Sequence, residues 1–429
     1  MNDYSERHLQ RIRAQSIPSL KDFPIEIFPS YDGLNLANIP NSICHWFGIP
    51  SPHAELLDLP EPAIPANALQ NIILLLVDGL SFERMHSWLE GDSFSNKFSP
   101  GWQIMHENAL FTPLTSVVPS TTANALTCLW SGCLPGEHGV IGYEVYLKEY
   151  QAIVNMILQT AVYPFNMDST TFQLDVNSFL PVQTLGNHFR KHHIHPYAFQ
   201  HESIHGSGLS RMLFPDVDRI SFSSSPDMWK KVNDLLDGQA SIRKYIYLYW
   251  SDLDTLSHRQ GPHGKKTRHA WHWFSHLLEQ FIAQRAKMKT TNTLLLVTSD
   301  HGQIPSMISP QYEVRNDQEF MQYLMMPPSG ESRLPYIFVK EGKQAAFQQY
   351  VQQRWQDEFT LVPTHKMIDS GIFGTKEITG EIRSRMGDFI ALPQGNAYWW
   401  WANKDNHLLG RHGGFSAQEM ITPFLALSI

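Results

Sequence analysis

The chain has 429 residues, of which 42% are hydrophobic and 17% charged, so it can bury a large core, and neither global disorder nor a coiled coil describes it. Its net charge of −8 and pI near 6.2 exclude a nucleic-acid binder working by bulk positive charge, so no nucleic-acid polymer is expected as a partner. With 21 His against 3 Cys, any metal site is expected to use imidazoles and carboxylates, because Cys44, Cys128 and Cys133 are too few and too irregularly spaced for a disulfide framework or a Cys-based zinc site.

The first residues, MNDYSERHLQRIRAQ, are charged and carry no apolar signal region. The longest apolar run, 72–77, is far short of the roughly 20 residues a membrane-spanning helix needs. The sequence therefore reads as a soluble cytoplasmic protein with no membrane partner. Residues 1–67, rich in Pro and polar residues, read as an N-terminal arm wrapped on a core.

The core opens at Asn71-Ile-Ile-Leu-Leu-Leu-Val-Asp78-Gly79. Such a continuous apolar run is a strand buried on both faces, and the Asp-Gly at its C-terminal end marks a functional loop. The pattern returns in Lys244-Tyr-Ile-Tyr-Leu-Tyr-Trp-Ser-Asp252-Leu-Asp254 and in Thr293-Leu-Leu-Leu-Val-Thr-Ser-Asp300-His301-Gly302. Between these two, residues 265–287 carry apolar side chains at helical spacing. A strand, a helix and a strand, with each strand ending in Asp, make a βαβ unit, and ligands collect at the carboxyl edge of such sheets.

Other stretches carry less signal. Residues 145–225 read as an irregular excursion. Residues 305–404 read as a small α+β insertion or lid, with a strand at Leu334-Pro-Tyr-Ile-Phe-Val-Lys, a helix over 343–356 and a strand at Phe359-Thr-Leu-Val. Asp388-Phe-Ile-Ala-Leu and the aromatic run Tyr398-Trp-Trp-Trp401 are expected to rejoin the core, the run as packing. The core is thus assigned to 68–304 plus 405–429.

Asp78, Asp254, His258, Asp300, His301 and His412 come from four loops. Buried carboxylates crowded on one sheet edge repel, so two divalent cations are expected to neutralise them. Mixed Asp/His donors suit Zn²⁺, with Mn²⁺ the second candidate. In Val118-Pro119-Ser120-Thr121-Thr122-Ala123-Asn124, a hydroxyl cluster opens a helix, where free N–H groups favour an anion such as phosphate. A hydroxyl there is either an N-cap or, beside a metal, a nucleophile.

Taken together and in this order, Leu-Val-Asp78-Gly, Pro119-Ser-Thr-Thr122, Leu-Pro135-Gly-Glu-His138-Gly, Asp254-Thr-Leu-Ser-His258, Ser-Asp300-His301-Gly and His412-Gly-Gly resemble the alkaline phosphatase superfamily, and within it the type I phosphodiesterase/nucleotide pyrophosphatase branch. The resemblance covers roughly 70–145, 243–302 and 408–425. It implies an α/β fold, a parallel-sheet core flanked by helices. It also implies Thr122 as the nucleophile, with Asp78, Thr122, Asp300 and His301 holding one ion and Asp254, His258 and His412 the other. The reaction implied is hydrolysis of a small phosphodiester or diphosphate through a covalent phospho-threonine.

Two departures bear on substrate. Where the branch has an Asn after its His-Gly-Ile-x-Gly turn, this sequence has Tyr143, a phenol that can still donate one hydrogen bond to phosphate. Ala123-Asn124-Ala125 replaces a Pro-Asn-His stretch, leaving Asn124 as a candidate substrate contact. No Lys or Arg lies near Thr122 in sequence, though Lys148 or Arg211 could fold towards it. That favours diesters over the phosphomonoesterase alternative. A sulfatase reading of Cys133-Leu-Pro135-Gly-Glu137 fails because the motif's Arg is missing, and Cys133 reads as a small buried residue. The competing class is a non-catalytic metal-bound binding protein on the same fold, against which every expected ligand position is filled.

Overall fold

The computed structural model describes residues 2–53, 55–59, 69–92, 95–165, 172, 174–238, 242–288 and 292–429. The end of the N-terminal arm, 60–67, lies outside the described residues. An eight-stranded sheet forms the centre. Five of its strands run parallel in the order Asp218–Phe222, Ile194–His201, Arg243–Trp250, Asn71–Val77 and Thr293–Thr298. Ile421–Ser428 then adds antiparallel, followed by Leu110–Thr115 and, at the edge, Asn2–Asp3. Every residue of Asn71–Val77 and Thr293–Thr298 is buried. Each aliphatic side chain so covered contributes about 2 kcal/mol of hydrophobic stabilisation, which is why these runs read as continuous apolar stretches.

This topology decides where chemistry collects. Asp78, Asp254 and Asp300 all follow parallel strands. Leu110–Thr115 pairs antiparallel to a strand that is itself antiparallel to the block, so the loop towards Thr122 leaves at the same edge. Ile421–Ser428 runs the other way, so His412 precedes it at that edge too. The helix Lys265–Ala286 lies between two of the strands in sequence, as its spacing predicts.

A second, seven-stranded sheet is wholly antiparallel, in the order Phe359–Pro363, Phe389–Pro393, Leu334–Ile337, Ser329–Glu331, Glu144–Leu147, Ala152–Asn155 and Thr160–Tyr163. It corrects two sequence expectations. The stretch 145–225 is not irregular: it supplies strands to both sheets. Phe389–Pro393 does not rejoin the main core but pairs with Phe359–Pro363 and Leu334–Ile337. There it closes a small aromatic core in which Trp399 stacks on Phe359 at 4.3 Å. From the N-terminal arm, Ile12, Leu20, Leu36 and Ile43 pack into the main core.

Candidate active site

Two glycines permit the loops to converge. Gly79 has φ +73°, and a Cβ there would lie 3.1 Å from Asp254 Cα. Gly302 has no room for a side chain, since a Cβ would approach Gln418 O to 2.0 Å. The Asp78, Asp254 and Asp300 loops and the C-terminal segment therefore close on one another without side chains between them.

The helix Thr122–Ser131 begins at this point, with Thr121 extended at the N-cap position. The three hydroxyls before and at its start have different fates. Ser120 Oγ donates to Gly414 O at 2.9 Å, and Thr121 Oγ1 donates to the Glu331 carboxylate. Thr122 Oγ1 lies 3.2 Å from His301 Nε2 and is the one facing the Asp/His group. Ser120 and Thr121 are 0% and 1% exposed, Thr122 7%. Thr122 is thus the most exposed of the three and the one turned towards the Asp/His group.

The histidines are held in one tautomer. His258 Nδ1 lies 2.8 Å from Gly410 O, His301 Nδ1 3.0 Å from Gly302 O, and His412 Nδ1 2.9 Å from Ser120 O. A carbonyl oxygen only accepts, so each Nδ1 carries the proton and each Nε2 keeps its lone pair. Burial pushes His301 down to about 4 and His412 well below the usual imidazole range, so both stay neutral. Thr122 O–H then donates to His301 Nε2. This is how metal-ligating histidines are oriented in general, by an outer carbonyl on the other nitrogen.

The carboxylates show the complementary strain. Asp78 Oδ2 accepts from the Tyr249 hydroxyl, and Asp300 Oδ1 accepts from Gly79 N–H at 3.2 Å and His301 N–H at 3.0 Å. Asp78 Oδ1 and Asp300 Oδ2 are buried without a hydrogen-bond partner among the described residues. Burial, and then mutual repulsion, pushes Asp78 well above the carboxylate range; burial and Asp254 push Asp300 to about 6. Orphaned buried carboxylate oxygens beside bare imidazole nitrogens are a donor set that fits a divalent cation. Ligand atoms of Asp78, Asp300 and His301 lie within 4.8 Å of one another, as do those of Asp254, His301 and His412. His258 Nε2 sits 3.4 Å from Asp254 Oδ2. The rings of His301 and His412 stack at 3.6 Å.

A cavity of about 370 Å³ opens over Thr122, Asp254, His258 and His412. Tyr143, Glu331 and the three tryptophans at 399–401 line it, so the aromatic run packs the small core and also walls the cavity. Asn124 is not among its lining residues. It is fully buried and its amide donates to Pro119 O at 2.9 Å, which corrects the expectation of a substrate contact: at the third helical position the side chain turns back on the preceding loop. Lys148 and Arg211 do not line the cavity either; the cations that do are Arg259, Lys404 and Arg411.

Sequence reasoning missed Tyr249, Gln303 and Glu331. Tyr249 belongs to the alternating Tyr245, Tyr247, Tyr249 series of a buried strand, a signal that one face needs polar partners. Gln303, which donates to Asp254 Oδ1, directly follows the Asp-His-Gly turn. Glu331 comes from the second sheet, and nothing in sequence points it here. Burial, with repulsion from Glu144, pushes Glu331 up to about 8. A carboxyl raised on folding loses stability as pH rises from its ordinary 4.5 towards about 8. Glu331→Gln is therefore expected to leave the melting temperature nearly unchanged at about pH 5 and to raise it above pH 8, read by thermal denaturation across that range.

A family model described as type I phosphodiesterase / nucleotide pyrophosphatase matches residues 72–415. The chain belongs to that family. Among solved structures, murine ectonucleotide pyrophosphatase/phosphodiesterase 5, in an inactive form bound to AMP, is similar at a TM-score of 0.61 and 18% identity, over 83% of this chain and 88% of that one. The human protein of the same name gives 0.60 and 18%, with the same coverage. Phosphonoacetate hydrolase from Sinorhizobium meliloti, bound to phosphonoacetate, gives 0.59 and 13%, over 85% and 91%. At these identities the structures establish the shared fold. No curated protein matches the sequence. As a type I phosphodiesterase/nucleotide pyrophosphatase, the chain is a phosphoester hydrolase of a metal-dependent group, and its two Asp/His groups are candidate metal positions. No helix among the described residues is long and apolar enough to cross a membrane.

Proposed function

We propose that this protein is a two-metal phosphohydrolase that cleaves phosphodiester or pyrophosphate bonds of small molecules through a covalent phospho-threonine at Thr122. The observation that carries this reading is the division of labour among three adjacent hydroxyls: Ser120 and Thr121 are committed to the protein, and Thr122 faces the Asp/His group from a helix N-terminus. Asp78, Thr122, Asp300 and His301 would hold one ion, and Asp254, His258 and His412 the other; Zn²⁺ suits these donors best, with Mn²⁺ second. When bound, such ions neutralise developing negative charge and lower the pKa of coordinated hydroxyls and water.

The chain's own groups do the rest. Thr122 Oγ1 forms the bond to phosphorus as the bond to the leaving oxygen breaks. The transferred group then sits at the first turn of Thr122–Ser131, whose N–H groups have no partner within the helix and favour an anion. Water next cleaves the phospho-threonine and restores the hydroxyl. The AMP bound by the murine relative and the phosphonoacetate bound by the bacterial one support a small phosphorus-containing substrate. Exposed Arg259 and Lys404 on the cavity wall favour a negatively charged leaving group, as in a diphosphate.

The test is release of p-nitrophenol from three esters with Zn²⁺ or Mn²⁺ present. Bis-p-nitrophenyl phosphate or thymidine 5′-p-nitrophenyl phosphate is expected to turn over, and p-nitrophenyl phosphate is not. Turnover of the monoester alone would make the enzyme a monoesterase, and no turnover by metal-loaded protein would favour a binding role. Tyr143, which stands in the sequence register of the family's phosphate-contacting Asn, lines the cavity. Tyr143→Phe is expected to lower kcat/KM by roughly 10-fold or more, the worth of one hydrogen bond to a charged group; steady-state kinetics on the preferred diester reads it.

A further inference from the structure

A second group of ligand-type side chains converges at the far end of the nucleophile helix. Thr122–Ser131 stops at Gly132, left-handed at φ +70°. The chain then turns through Cys133 into the short helix Pro135–His138. Cys133 is 9% exposed, and Glu137 folds back so that its Oε2 accepts from Leu134 N–H at 2.6 Å. The N-terminal arm crosses this turn: Pro52 Cγ would lie 3.2 Å from a Cβ on Gly132, and His53 N–H donates to Asn41 Oδ1 at 3.2 Å. His53 Nε2 is thereby seated 3.3 Å from Cys133 Sγ and 3.6 Å from Glu137 Oε2.

The 3.3 Å between His53 Nε2 and Cys133 Sγ is a hydrogen-bonding distance, and Cys133 Sγ also donates to Ser131 O at 3.7 Å. At 3.6 Å the His53–Glu137 pair is too long for a hydrogen bond. The three ligand-type atoms all lie within 4.8 Å of one another. Around a tetrahedral zinc ion, with Zn–S about 2.3 Å and Zn–N and Zn–O about 2.0–2.1 Å, neighbouring ligands stand roughly 3.4–3.6 Å apart. The side chains of His53 and Glu137 are 28% and 32% exposed, which leaves a fourth position open to water. Three scattered cysteines cannot make a four-thiolate site, but one of them can join a His and a Glu drawn from two distant segments.

We propose that His53, Cys133 and Glu137 bind one divalent ion of the Zn²⁺ class, separately from the catalytic group, and that this ion ties residues 51–53 to the turn behind the nucleophile helix. Cys133 binds as thiolate, so its thiol proton passes to solvent when the ion enters. Without the ion, burial and Glu137 push the thiol up to about 11 and keep it protonated.

Cobalt substitution of the full-length chain tests this. Neither catalytic group contains a thiolate, so a thiolate-to-cobalt charge-transfer band in the near ultraviolet reports Cys133. The band is expected in the wild type, lost in Cys133→Ser, retained in Asp254→Asn, and erased when Zn²⁺ is added. His53→Gln, a change at a part-exposed position, is expected to weaken Co²⁺ binding by roughly 10-fold or more while preserving the fold. A wild type without the band in excess Co²⁺, a band that survives Cys133→Ser, or His53→Gln binding Co²⁺ as tightly as wild type would overturn the proposal. Diester hydrolysis is expected to persist in Cys133→Ser, so the outcome here is separate from that of the hydrolase reading.

Discussion

Thr122→Ala is expected to lower kcat on a p-nitrophenyl diester by at least roughly 10³-fold while the protein keeps its metal, because covalent catalysis has no second nucleophile to fall back on. The neighbouring hydroxyls cannot substitute. Ser120 is fixed between Gly414 O and the Gly413 N–H, and Thr121 is engaged with Glu331. Reaching phosphorus from either position would require unwinding the start of Thr122–Ser131. Thr121→Ala is the matched control, expected to stay within about 10-fold of wild type, since it removes a hydrogen bond and no bond-forming atom. Single-turnover kinetics with metal analysis of the same samples separates the two effects. Near-normal turnover by Thr122→Ala would refute the nucleophile assignment.

The second large effect has opposite signs in the two metal states. Asp78 Oδ1 and Asp300 Oδ2 are buried and unpartnered among the described residues, and both carboxyls are pushed up by burial and by neighbouring carboxylates. In chelator-treated protein, Asp78→Asn removes one of these charges and keeps an oxygen for the Tyr249 hydroxyl, so the variant is expected to be more stable than wild type by on the order of 1–3 kcal/mol. With Zn²⁺ the order reverses. A ligand at about 100 times its Kd adds about 2.7 kcal/mol to the state that binds it. Wild type gains that and the variant largely does not, and its turnover is lost. Thermal denaturation with chelator and with Zn²⁺ reads both signs. A variant less stable than wild type under chelator would show that the carboxylates are relaxed without a cation.

What the sequence disclosed follows from which information is local. Asn71–Val77, Arg243–Trp250 and Thr293–Thr298 are buried on both faces, so their apolar runs and terminal Asp residues stand out. The helix over 265–287 was equally plain, and the structure ends it at Ala286. Ile194–His201 was hidden because His195, Pro196 and His201 interrupt its apolar pattern, and Asp218–Phe222 because it is a polar edge strand. Phe389–Pro393 shows in the sequence as an apolar stretch, but its partners do not: which sheet a strand joins depends on segments distant in sequence. The same limit governs the site. The Asp and His residues of the Asp-Gly, Asp-His-Gly and His-Gly-Gly turns are legible in the sequence; Gln303, just beyond one of these turns, is not, and Glu331 and His53 arrive from elsewhere in the chain. Asn124 had the right position along the helix and the wrong direction, since its amide closes the turn at Pro119.

The most direct measurement is anomalous scattering at the zinc edge from crystals of fully loaded protein. Two peaks are expected at the carboxyl edge of the main sheet, one among Asp78, Thr122, Asp300 and His301 and one among Asp254, His258 and His412. Absence of both peaks, or those side chains turned away from one another around empty solvent, would contradict a metal-activated threonine.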